Sequence, residues 1–400
     1  MNLPLSNEAR PLEHGVRRLR IAVLNRAFST TGGGAERYSI ALVEQLAARH
    51  EIHVFAQEID HAWPEVHYHQ VSSPLLKPRW VNQLWFAVCT WRLTRSGFDV
   101  IHSHENTWHG NVHTVHVLPV KYNLFKRAKG WRLFANRIKV CTSPRLLVYL
   151  ALERFRFSFP NQKKVVVTSD SLKSIVEMTY PGCREIISVI TPGITMPLSP
   201  VTRMRKETAR MLLGLPIEGH CILFVANDFR KKGLDALLRA IALCPKNFVL
   251  AVVGNNLQRG SYAEQIKKLN LCDRIFFIGI LKDIAPAYEA ADCLAHPTLE
   301  DTFAMVVLEA MSYALPVVVS GVKHCGISSL LQHGVNAWIV DDPTDVYKLR
   351  EALEEAVIES GIKNCVGQSA RKFATHFQWT SLSMAQELIY LKVSLINSKQ

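Results

Sequence analysis

The sequence has no uncharged apolar run of about 18 residues, so no transmembrane helix is expected. Its opening stretch, MNLPLSNEARPLEHGVRRLR, has no apolar segment of the kind a secretory signal carries. None of the nine cysteines falls in a Cys-x-x-Cys pair. A structural zinc knuckle and a disulfide framework are therefore not expected, and a reducing cytoplasm fits best. Glycine (20) and proline (18) are too sparse for collagen or low-complexity chains. There is no convincing Asp-x-Asp metal motif. No RRM, KH, helix-turn-helix or zinc-finger pattern is present, so no nucleic-acid partner is expected. Acidic residues are scarce in one region: residues 71–160 hold 14 Lys and Arg against 3 Asp and Glu. That region accounts for most of the net charge of +13.

The 400 residues, 48% hydrophobic and 20% charged, suit two globular domains. Short apolar runs alternate with helical patterns along the whole chain. RIAVLN (20–25), EIHVFA (51–56), FDVIHSH (98–104), VHTVHV (112–117), KVVVTS (164–169) and IISVIT (186–191) read as strands of the first half. CILFVAN (221–227), FVLAVVG (248–254), RIFFIGI (274–280), CLAHPT (293–298), LPVVVSG (315–321) and AWIVDD (337–342) read as strands of the second. Continuous Val/Ile/Leu runs separated by helices indicate parallel sheets covered on both faces. Each half is thus expected to be a doubly wound α/β domain, joined near the proline cluster of 194–218. Ligands of such sheets bind beyond the carboxyl ends of the strands.

Three segments sit where a strand meets a helix. In AHPTLEDTFAMVVLEAMSYALPVVVSG (295–321), Asp301 and Glu309 lie eight residues apart, about 12 Å along a helix axis. A helix N-terminus here would suit a diphosphate. The plain alternatives are an N-cap role for Asp301 and a solvated position for Glu309. In FVANDFRKKGLDALLRAI (224–241), Arg230, Lys231 and Lys232 precede a helix start at Gly233. They are a solvated loop in most proteins, but at a strand's carboxyl end they read as clamps on a leaving diphosphate. In TTGGGAERYSIALVEQLA (30–47), Gly32, Gly33 and Gly34 make a turn. Arg37 occupies the third glycine position of a G-x-G-x-x-G, so the dinucleotide fingerprint is poor. The stretch 102–117 is rich in histidine (His102, His104, His109, His113 and His116, with Glu105), but its spacing fits no zinc signature.

These segments resemble retaining glycosyltransferase family 4 (glycosyl transferases group 1), whose fold is GT-B. Leu308-Glu309-Ala310-Met311 and Leu315-Pro316-Val317-Val318 match its donor-site signature. Asp301 stands where the family has a first Glu, and Ala304 where it has Gly. The resemblance implies that Glu309 binds the nucleotide ribose and that Asp301 lies near the transferred sugar, with Glu300 an alternative. It puts the substrate against Thr302 and the diphosphate against the backbone of Phe303, Ala304, Met305 and Val306. Lys232 matches the family's lysine. The family's arginine position holds Asn227 and its post-strand glycine is Ala226, so Arg230 or Lys231 would supply the second cation. Thr114-Val115-His116 matches the family's Thr-x-His, whose histidine approaches the sugar; His104 and Glu105 are second candidates. Gly33 and Gly34 would approach the donor phosphates or the acceptor. The C-terminal segment FATHFQWTSLSMAQELIYLKV (373–393) resembles a helix that returns to the first domain, with Trp379, Ala385, Leu388 and Tyr390 at its apolar positions.

The expected organisation is an acceptor-side domain over 1–195, a nucleotide-sugar domain over 196–374 and a returning helix over 375–400. The expected function is a metal-independent retaining transfer from a nucleotide sugar, UDP-linked by preference, to a glycan or glycolipid such as a lipopolysaccharide core. No further cofactor is expected. A nucleotide-sugar epimerase of similar fold, or a scaffold that has lost activity, are the alternatives; the second is motivated by Asp301, Ala304, Ala226 and Asn227. Cations interleaved with aromatics in RWVNQLWFAVCTWRLTR (79–95) and KYNLFKRAKGWRLFANRIK (121–139) suit an anionic membrane surface, as well as a packed helix with snorkelling cations. The expected location is the cytoplasm, with peripheral contact to the cytoplasmic face of the inner membrane.

Overall fold

The computed structural model describes residues 17–29, 32–75, 77–158, 163–362 and 364–397. The apolar runs form two parallel sheets. The first orders its seven strands Val66–Gln70, Glu51–Ala56, Arg20–Leu24, Val100–Ser103, Val112–Val115, Lys164–Val167 and Ile187–Val189. The second orders six: Ile275–Gly279, Phe248–Gly254, His220–Ala226, Cys293–His296, Val317–Ser320 and Trp338–Val340. Alternation along each strand divides the second sheet between two cores. Leu223, Val253, Leu294 and Val319 face the helix Met305–Ser312, and Phe224, Val252, Ala295 and Val318 face the helix Leu234–Leu243. Burial on both faces is why these strands read as unbroken apolar runs.

All twelve expected strands are present, each within a few residues of its expected limits. The strand Val66–Gln70 was not expected. It lies at the sheet edge, and its sequence VHYHQ carries polar side chains where the inner strands carry Val and Ile.

The chain crosses between the domains at two adjacent places. Ile194 N–H donates to Phe377 O at 2.8 Å, beside a bridge between Ile194 and Gln378. The helix Trp379–Asn397 then packs on the first domain, where Trp379, Tyr390 and Val393 join Leu19, Ile21, Tyr38 and Leu46. Its inward face differs from the expected one. Ser383, Gln386 and Glu387 are buried, while Ala385 is exposed and Leu388 is 47% exposed. Apolarity alone did not fix the phase, because Glu387 turns inward to meet His50 and Arg49 at 2.9 and 3.1 Å. Two doubly wound domains facing across a cleft, with a helix returning to the first, make a GT-B fold. All nine cysteines are free thiols.

Candidate active site

Each sheet changes direction once. In the first, strand order reverses between Arg20–Leu24 and Val100–Ser103; in the second, between His220–Ala226 and Cys293–His296. Such reversals open a crevice at the strands' carboxyl ends. The two crevices share one cleft of about 690 Å³. Gly32–Arg37, His116 and Thr168 line it from the first domain. Asn227, Lys232, Lys282, His296 and residues 301–306 line it from the second.

Lys232 reaches the cleft because its loop is pinned to the next strand. Gly233 has φ +85°, and a Cβ there would lie 1.9 Å from Pro297 O. Only glycine allows that approach. Lys232 Nζ then contacts Asp301 Oδ2 at 2.5 Å, and His296 Nε2 lies 3.1 Å from the same oxygen. The other oxygen, Oδ1, accepts from the backbone N–H groups of Phe303 and Ala304 at 3.2 and 2.9 Å. Asp301 therefore caps the turn with one oxygen and holds two side chains with the other. Burial favours the neutral acid, but His296 and the Lys232 charge outweigh it and keep the carboxyl well below its usual range. Ala304 takes a left-handed conformation, φ 75°, directly before the helix Met305–Ser312. No side chain caps this helix among the described residues, and its first residues Met305 and Val306 form part of the cleft wall.

Several expected site residues lie elsewhere. Glu300 is turned away from the cleft, with Arg127 Nη1 at 2.6 Å and Lys231 Nζ at 2.7 Å. Lys231 shares Glu300 with Arg127, and Arg230 is exposed, so neither Arg230 nor Lys231 lines the cleft. The cleft's further cations are Arg37 and Lys282. Glu309 sits behind the wall: Tyr288 Oη donates to its Oε2 at 2.6 Å, and Arg37 reaches Oε1 from the first domain. Glu309 is partly buried rather than solvated, and these two partners satisfy it. Glu105 pairs with Arg26 at 3.3 Å, outside the cleft.

The histidines form a buried stack. His104 Nδ1 lies 3.0 Å from His116 Nε2, and His102 bridges Thr114 Oγ1 (2.7 Å) and Tyr390 Oη (2.6 Å). His104 lies behind His116, which alone of these lines the cleft. Burial, reinforced by Arg156, lowers the His116 pKa to about 3, so its ring is neutral near pH 7. Across the cleft, a Cβ on Gly34 would sit 3.4 Å from Met305 Sδ. Thr302 Oγ1 donates to His116 O at 2.7 Å, and Ser169 Oγ donates to Thr302 O at 2.6 Å. Sequence reading missed Arg37, Lys282, Tyr288 and Ser169. Arg37 had a signal, a cation just inside a helix start after three glycines, which the comparison with G-x-G-x-x-G obscured.

Fold and cleft define the class: a GT-B protein whose inter-domain crevice is lined by Arg37, Lys232 and Lys282 together with Glu36, Asp228, Asp283 and Asp301. Residues 32–196 match the Glycosyltransferase Family 4 profile, and residues 206–373 match Glycosyl transferases group 1. The chain belongs to this glycosyltransferase family. It is 26% identical over 232 residues to the lipopolysaccharide glucosyltransferase WaaG of Escherichia coli K12. That match takes in 56% of this chain and spans about three fifths (61%) of the relative's length. It is 24% identical over 327 residues to a D-inositol 3-phosphate glycosyltransferase of Corynebacterium diphtheriae, covering 76% of this chain and 73% of the relative. Among solved structures it resembles WaaG with a TM-score of 0.79 at 23% identity, covering 92% and 98% of the two chains. It also resembles Anabaena HepE in complex with UDP and glucose, with a TM-score of 0.73 at 18% identity and coverage of 93% and 99%.

Proposed function

We propose that the chain is a retaining, metal-independent glycosyltransferase that moves a sugar from a nucleotide diphosphate to a glycan or glycolipid hydroxyl. The observation that carries this reading is the meeting of Lys232, Asp301, His296 and the start of the helix Met305–Ser312 at the carboxyl ends of two adjacent strands. In the reaction the sugar C1–O bond to the diphosphate breaks and a C1–O bond to the acceptor forms on the same face. The departing phosphate oxygen takes the acceptor's proton, so no separate strong base is needed. Lys232 and the helix start stabilise the charge that develops on the diphosphate. Lys282 adds a second cation on the wall, while Arg37 is held by Glu309. Neutral His116 is suited to hydrogen-bond the sugar rather than to donate a proton as an acid.

UDP is the preferred nucleotide, a choice supported by the UDP held in the HepE structure. The similarity to a lipopolysaccharide glucosyltransferase supports a lipopolysaccharide core or a related surface polysaccharide as acceptor. An exposed apolar and basic surface supports the same class. The helix Trp131–Thr142 buries none of its residues, and Trp131, Phe134 and Ile138 are 77%, 67% and 52% exposed. Lys126, Arg127, Lys129, Arg132, Arg137 and Lys139 accompany them. Apolar anchors among cations suit the cytoplasmic face of an anionic membrane. No helix among the described residues is long and apolar enough to cross one.

The test is thermal stability with UDP, GDP and ADP, each with and without EDTA. A rise with UDP that EDTA leaves unchanged is expected. No rise with any nucleotide would favour the scaffold reading. Release of free UDP only in the presence of an acceptor, with no conversion of the sugar in its absence, separates transfer from epimerisation.

A further inference from the structure

At the opposite end of the first sheet from the cleft, histidines gather on one face. The parallel ladder sets His53 opposite His67, and Phe55 opposite His69. The pleat sends alternate residues to the same side, so Glu51, His53, His67 and His69 share that face. The His53 and His67 rings stack at 4.7 Å, and those of Phe55 and His69 at 4.5 Å. Glu51 begins its strand, as Arg20 begins the neighbouring one, whereas the cleft lies beyond the strands' other ends.

We propose that Glu51, His53 and His67 bind a divalent transition-metal ion of the zinc class, separately from the donor cleft. One donor atom from each lies within 4.8 Å of the others. Two imidazoles and a carboxylate are a zinc ligand set that leaves a position for water. Bonds of about 2.0–2.1 Å would bring the donor atoms to roughly 3.4 Å apart. Side-chain rotation of exposed His67 and of Glu51 supplies that adjustment, Glu51 Oε1 moving out from its present 2.8 Å to His53 Nε2, while buried His53 stays fixed. The His53 ring is already held in place: His69 Nε2 lies 2.8 Å from its Nδ1, leaving Nε2 toward Glu51 at 2.8 Å.

The site also attracts positive charge within the chain itself. Arg20 Nε lies 2.9 Å from Glu51 Oε1 and 3.3 Å from His53 Nε2. Its side chain is 46% exposed and also rests on the Phe98 ring, 5.1 Å from the centroid, so it can withdraw without leaving the protein surface. An ion bound here would join the edge strand Val66–Gln70 to Glu51–Ala56 and fasten the sheet edge.

Isothermal titration of the full chain with zinc chloride, and separately with nickel chloride, tests this. One saturable site is expected in the wild type. His67→Ala and Glu51→Gln should each weaken it at least tenfold, and Arg20→Gln should tighten it. Zinc should raise the Tm of the wild type and leave that of His67→Ala unchanged. His67 and Glu51 are at the surface, so both variants should fold, and circular dichroism verifies it. No saturable binding by the wild type overturns the proposal. So does wild-type affinity in either variant, which would assign the metal to other histidines or to the exposed thiols of Cys141, Cys272 and Cys365. Nucleotide binding is not part of the readout, so the outcome is independent of the glycosyltransferase reading.

Discussion

Thr302 Oγ1 donates a hydrogen bond to the carbonyl oxygen of His116 at 2.7 Å, joining the donor-side loop of one domain to the residue after a strand of the other. Thr302 O accepts from Ser169 Oγ, the N-cap of the helix Asp170–Thr179, so this one residue ties down two first-domain segments. Thr302→Val keeps the shape and removes the hydroxyl. It should cost about 1 kcal/mol in urea unfolding and raise the KM for the donor more than it lowers kcat. An unchanged KM would mean that the contact does not set the cleft.

Lys232→Met should lower kcat by roughly two to three orders of magnitude, the usual loss for a group aimed at developing charge. It also leaves Asp301 short of a partner, so the Tm should fall. Lys232→Met combined with Asp301→Asn should recover part of that Tm without recovering activity. Full activity in Lys232→Met would remove it from the reaction.

Arg37 and Glu309 form an ion pair across the two domains, with Tyr288 on the second oxygen. A double-mutant cycle of Arg37→Met and Glu309→Gln, read by urea unfolding, should give a coupling of about 1–3 kcal/mol. Additive effects would show that the pair does not hold the domains together.

The buried histidines should govern acid stability. Burial lowers His102 and His116 to about 3 and His109 to about 4, and carries His104 and His113 well below the ordinary 6.5. Above pH 6.5 both folded and unfolded forms are neutral, so these groups add no pH dependence there. As the pH falls from 6.5 toward 4, the unfolded chain gains protons that the folded chain refuses. Stability should drop by up to about 1.4 kcal/mol per pH unit for each histidine. Unfolding free energies measured from pH 8 to 4.5 check this, and a flat profile between 7 and 5 would contradict it.

Binding to vesicles should depend on both charge and apolar anchors. The full chain should sediment with phosphatidylglycerol-containing vesicles and not with pure phosphatidylcholine. Trp131→Ala with Phe134→Ala should reduce binding at low salt, and added salt should weaken what remains. Equal binding by the double variant would place the contact elsewhere.

The strands were legible in the sequence because both faces of each sheet are buried, which forces continuous apolar runs such as FVLAVVG. The edge strand Val66–Gln70 lacks that constraint, and its alternating histidines concealed it. Lys232 and Asp301 were legible as residues following neighbouring strands, since parallel topology sends such residues to one end of the sheet. Partner choice was not. Whether Glu300 or Asp301 faces the cleft depends on which carboxylate Arg127 and Lys231 draw outward. Whether Glu309 meets ligand or protein depends on Arg37, 272 positions away in the chain. The sequence by itself determined the two sheets and the strand ends that open onto the cleft, because local patterning and strand direction suffice for both. The tertiary structure alone decided which charges face the cleft, because a buried charge is held by whatever opposite charge folding brings within a few ångströms.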